Sequence, residues 1–104
     1  MADEGRIIEF YGTECPHCHE MEPLIERLER ETPVKITRLE VWHNEENRHL
    51  MQRHAAPILR ACGGVLGVPA FYNERTRKAL CGEQAYEDLR AWALEEPDRK
   101  LAVS

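Results

Sequence analysis

Two cysteines separated by two residues, Cys15-Pro16-His17-Cys18, are the side chains in this sequence best placed by type and spacing to do chemistry. Thiols this close can exchange with a disulfide: one attacks, and the other resolves the mixed disulfide that forms. The same pair can supply two of the four tetrahedral ligands of zinc. The thiolate is the reacting species in either case. His17 can therefore tune the site, by donating a hydrogen bond or lending positive charge to the Cys15 sulfur. Pro16 suits the first turn of a helix, where its missing N–H costs nothing.

The elements around the pair favour the first of these chemistries. Residues 6–11 form a short, apolar, β-branched run that reads as a buried strand. From residue 16 to about 30 the pattern is helical, with Met21, Leu24, Ile25 and Leu28 on one stripe and Pro23 expected to kink it. The pair thus lies where a strand turns into a helix, and the unpaired N–H groups there favour a thiolate. Cys15, just before the helix, is expected to be exposed, and Cys18, one turn in, to be covered. Residues 34–42 read as a second strand. Asn44 is the N-cap of a helix over 45–55, with Leu50, Met51, His54 and Ala55 facing inward. Pro57 interrupts it, leaving a short helical stretch over 58–62. Residues 70–73 and 78–81 form a hairpin turning at 74–76, and residues 84–95 the last helix. The order β-α-β-α-β-β-α predicts an α/β layer structure: a four-stranded mixed sheet flanked by helices.

Composition sets the frame. At 104 residues, the chain fits one domain over 1–104, with a polar, flexible tail at 97–104. A net charge of −5 disfavours nucleic acid as a partner. No apolar run reaches the length a membrane helix needs, so no membrane role is expected. The acidic N-terminus lacks the basic region of a signal peptide, so the expected location is cytoplasmic. A structural disulfide is not expected there, and closely spaced cysteines point to redox chemistry or metal.

Residues Glu9 to Glu22, which contain Cys15-Pro16-His17-Cys18 after a Glu-Phe strand, resemble the active-site segment of DsbA-type oxidoreductases of the thioredoxin superfamily. Gly67-Val68-Pro69-Ala70 is similar to the loop that in this superfamily holds a cis proline against the cysteine pair. Gly82 also matches, and Pro23 stands where thioredoxins carry a helix-kinking proline. The resemblance covers roughly residues 6–95. It implies a thioredoxin-like fold and a thiol–disulfide oxidoreductase, with Cys15 as nucleophile and Cys18 as resolving thiol. Pro16 and His17 would tune the pair. Glu9 stands at the position of a buried acid, and would be the general acid/base. The Val68 backbone and Pro69 would dock an extended substrate. The implied substrates are protein or small-molecule disulfides and dithiols. Electrons would come from a reductase or glutathione. No cofactor and no bound metal are implied, and the working form would be a monomer. The helical insertion of DsbA-type proteins does not fit between Trp42 and Pro69, and the extra N-terminal strand and helix of thioredoxin are missing. The outline is glutaredoxin-sized, yet Cys81-Gly82-Glu83 departs from the glutaredoxin glutathione clamp.

Other residues carry plainer expectations. Glu9 could instead simply pair with Arg38. Cys62 reads as a small buried hydrophobe. Cys81 lies close to the proline loop in sequence pattern; a Cys62–Cys81 disulfide, an accessory thiol or a metal site are the alternatives. Trp42, Tyr86 and Trp92 read as core or core-edge, and Glu14, Glu20 and Glu22 as an acidic rim. Two other classes of function stay open on the residues alone. One is a zinc or iron–sulfur module using Cys15 and Cys18. The other is a non-catalytic interaction domain.

Overall fold

A computed structural model describes residues 5–95, and the expected tail at 97–104 lies outside them. The element order is β1 (Ile7–Tyr11), α1 (Pro16–Glu31), β2 (Ile36–Glu40), α2 (Glu45–Arg53), α3 (Ala55–Cys62), β3 (Ala70–Asn73), β4 (Lys78–Cys81) and α4 (Tyr86–Leu94). The expected order holds, except that two helices stand where one helix and a short stretch are predicted. The reason is Pro57. It falls in the first turn of α3, where no intrahelical N–H is needed, so the helix starts ahead of it.

The sheet runs β2-β1-β3-β4, with β1 parallel to β2 and antiparallel to β3, and β3 antiparallel to β4. Strand periodicity sends alternate residues to opposite faces, and both faces are covered. Ile7 and Phe71 join Met21, Ile25, Leu28, Leu89 and Trp92 under α1 and α4. Ile8, Phe10, Ala70 and Tyr72 join Met51 and Ile58 under α2 and α3. Glu9 falls on the Ile7 side of β1 and so faces the layer that contains α1.

Two element boundaries move inward for local reasons, and one helix runs on through a proline. The β2 ladder begins at Ile36, opposite Ile7, because β1 offers no earlier partner. The last helix begins at Tyr86 because Gln84 is held in the preceding loop. Its backbone N–H donates to Met21 Sδ (3.3 Å) and its side chain to the Cys81 carbonyl (2.8 Å). α1 continues as one helix of 16 residues through Pro23, which leaves the His19 carbonyl without its helical donor. Among the described residues no helix is long and apolar enough to cross a membrane.

Candidate active site

Cys15 is the N-cap of α1, and its sulfur accepts the backbone N–H of Cys18 at 3.1 Å. Pro16 occupies the first helical position. Cys15 and Cys18 are closed as a disulfide, with Cα atoms 5.2 Å apart. Cys18 is covered, as expected. Cys15 is not exposed: only 3% of its surface is accessible. Its sulfur is tied back to Cys18 and lies 3.9 Å from the Val68 carbonyl oxygen, so the loop before β3 covers it. The Val68–Pro69 bond in that loop is cis. Gly82 N–H donates to the Pro69 carbonyl (2.8 Å), from a backbone with φ +84° that favours glycine.

Glu9 is fully buried (0% accessible). Its carboxylate does not reach solvent; Oε1 accepts from Arg38 Nε at 2.7 Å, across the direct β1–β2 register of Glu9 and Arg38. Among the described residues Glu9 Oε2 has no hydrogen-bond partner. Desolvation raises the Glu9 pKa above the ordinary carboxylate value and outweighs the hydrogen bond and charge of Arg38. Arg38 also reaches Glu22 (3.5 Å) and sits over the Tyr11 ring, 4.5 Å from its centroid.

The acidic rim is largely paired with histidine, which sequence spacing does not reveal. His17, 70% exposed, turns its Nδ1 to Glu83 instead of toward the Cys15 sulfur. His43 Nε2 donates to Glu14 (2.8 Å), and His19 contacts the Thr13 carbonyl (2.8 Å) and Glu22 (3.1 Å). The Glu14 hydrogen bond and charge raise the His43 pKa; the Thr13 carbonyl, then Glu22, raise that of His19.

Glu40 organises the loop that leads into Cys15. It accepts from the backbone of Thr13 (3.0 Å), Trp42 (3.2 Å) and His43 (2.8 Å), and from the Thr13 hydroxyl (3.0 Å). Desolvation pushes its pKa up, but the His43 and Thr13 donors together hold it below the ordinary value. Trp42 is 45% exposed and not a core residue. It lies flat over Gly12, where a Cβ would come within 2.2 Å of the indole. Gly12→Ala should therefore displace the indole into solvent. A red shift in Trp fluorescence and a stability loss of about 1 kcal/mol are expected. With Val41, Met51, Leu66 and Val68, Trp42 lines a largely apolar groove of ≈ 530 Å³ that Arg48 and Gln52 also line.

The remaining two cysteines are also paired. Cys62 is not a free hydrophobe; it forms a disulfide with Cys81. Their pairing requires α3 to end over β4, which no local pattern announces. Among the described residues no group of three or more His, Cys, Asp or Glu side chains is disposed to hold a metal ion.

The thioredoxin family model matches residues 1–94. Among curated proteins there is no significant match. A mutant thioredoxin from Halobacterium salinarum NRC-1 superposes with a TM-score of 0.61 at 23% identity, over 84% of this chain and 69% of that one. The J-Trx1 fragment of ERdj5 superposes with a TM-score of 0.55 at 20% identity; 89% of this chain is covered, but only 44% of that one.

Proposed function

This chain belongs to the thioredoxin family of thiol–disulfide oxidoreductases, and on that premise we propose that it exchanges electrons with protein disulfides through Cys15 and Cys18, as one domain over 1–104. Cys15 thiolate attacks a substrate disulfide, forms a mixed disulfide and expels the first substrate thiolate. Cys18 then loses its proton and attacks Cys15 Sγ. The second substrate thiolate leaves, and the closed Cys15–Cys18 pair remains. Glu9 accepts the Cys18 proton, because a buried carboxylate with a raised pKa and an unpartnered oxygen is suited to take one. Pro16 starts the helix, and His17 ties the loop that carries Glu83 to its first turn. The Val68 backbone and Pro69 dock an extended substrate segment. The apolar groove beside Trp42 takes a hydrophobic side chain of that segment. A reductase or glutathione reopens the pair; protein disulfides are the favoured substrates over small ones.

The observation that carries this reading is the capping of α1 by Cys15. The N–H of Cys18 that donates to the Cys15 sulfur at 3.1 Å would equally stabilise a thiolate there. Trapping tests it. A Cys18→Ser variant incubated with a reducible protein such as oxidised insulin should accumulate a mixed disulfide on Cys15, released by a dithiol. Absence of that adduct, with no insulin reduction by the wild type, rejects the reading.

A further inference from the structure

The second disulfide stands against the same loop as the first. Cys62 Sγ lies 4.0 Å from the Gly67 carbonyl oxygen. A Cβ at Gly67 would lie 3.9 Å from Cys81 Sγ and 4.0 Å from Cys62 Sγ. One residue further, the Val68 carbonyl meets Cys15 Sγ at 3.9 Å. Cys81 itself pairs with Ala70 across β3–β4, and the next residue, Gly82, donates to Pro69. The segment from Gly67 to Ala70 is thus held between two disulfides. Outside the pairing of Ala70 and the Gly82 bond, residues 63–69 have no regular structure. Both Cys62 and Cys81 are half-buried, more open than Cys15 or Cys18.

We propose that Cys62–Cys81 is a second thiol–disulfide exchange site, reactive with low-molecular-weight thiols, which positions the Gly67–Pro69 docking segment for protein substrates. This rests on the reading of Val68 and Pro69 as the docking backbone. The exchange is directional. Cys62 ends α3, where the carbonyl end of the helix disfavours a thiolate, so Cys81 is the better leaving group. An external thiolate attacks Cys62 Sγ, a mixed disulfide forms, and Cys81 departs as a thiolate that takes a proton from water. A second external thiolate attacks the outer sulfur of the mixed disulfide. This gives a small-molecule disulfide and frees Cys62, which is then protonated. Two thiols are oxidised and the Cys62–Cys81 bond gains two electrons and two protons. Opening it releases the end of α3 from β4 and with it the covalent support beneath Gly67.

Glutathione is the probe. Cys15→Ser/Cys18→Ser protein equilibrated with graded ratios of reduced to oxidised glutathione, alkylated and weighed should pass reversibly from disulfide to dithiol. Adding Cys81→Ser should give one glutathione adduct, on Cys62. In the Cys15→Ser/Cys18→Ser protein, amide hydrogen exchange at Gly67 and Val68 should quicken when the pair opens, with the β1 amides unchanged. In an otherwise wild-type chain, Cys62→Ala/Cys81→Ala should raise KM for insulin roughly three- to tenfold, with kcat within about twofold and a small aromatic disulfide turned over as before. A pair that stays closed at every glutathione ratio in the folded protein overturns the proposal. So does unchanged exchange at Gly67 and Val68, or a wild-type insulin KM in the double variant. A wild type that reduces no insulin at all fails the docking reading instead.

Discussion

Cys15→Ser is expected to lower kcat/KM for protein disulfide reduction by at least about 10³-fold, roughly 4 kcal/mol of transition-state stabilisation. Serine keeps the shape and the cap of α1, since its oxygen can still accept the Cys18 N–H, so the fold should survive with an unchanged circular dichroism spectrum. What it loses is the proposed nucleophile. A thiol at a helix N-terminus is partly ionised near neutral pH, whereas a hydroxyl is not. The capping geometry also separates the two cysteines. Cys15 receives a backbone donor directly, while Cys18 lies buried inside the first turn. Stopped-flow measurement of the first exchange step should accordingly show it abolished in Cys15→Ser and retained in Cys18→Ser, which fails only at resolution. Equal loss of the first step in both variants would reverse the assignment.

The legible parts of this molecule were those set by local patterns. The cysteine pair at a strand-to-helix turn, the apolar stripe of α1 and the proline loop before β3 each lie within one short stretch of chain, where capping, periodicity and turn chemistry act. Glu9 and Arg38 were nearly legible too, because parallel pairing of two short strands left few registers that bury both apolar sets. Contacts made between distant segments were not. His17 is drawn to Glu83, 66 residues away, by the loop after the hairpin. Cys62 meets Cys81 only because α3 docks across β3 and β4. Trp42 is out of the core because Gly12, with no side chain, offers a flat backbone to cover. The exposure expected for Cys15 failed for a related reason: its cover comes from residue 68, on the far side of three helices in sequence.

Arg38→Ala should cost about 3 kcal/mol near pH 7, a fall in Tm of roughly 10–20 °C. Removing one partner of a buried ion pair strands the other, and Glu9 has no route to water. The lower end of the usual range applies because Arg38 itself is partly solvated. The pH dependence distinguishes charge from packing. The folded-state pKa of Glu9 is raised above its unfolded value of about 4.5, chiefly by desolvation. Its contribution to stability is therefore complete below about 4.5 and is lost as pH rises through the folded-state value. Deleting Arg38 removes the groups that oppose this shift, so the folded-state value climbs further and the loss extends to higher pH. Urea denaturation should show the variant close to wild type under acid conditions, with a gap that widens toward neutrality. Arg38→Ala/Glu9→Gln should recover most of the stability, because a neutral amide is left where a charge was stranded. Disulfide exchange supplies the second readout. In Arg38→Ala the further-raised Glu9 pKa leaves less carboxylate to take the Cys18 proton, so resolution slows at neutral pH and recovers as pH rises. The double variant has no carboxylate to recover. A stability gap equal at acid and neutral pH would mean that Arg38 acts through its packing on Tyr11 and not through the charge of Glu9.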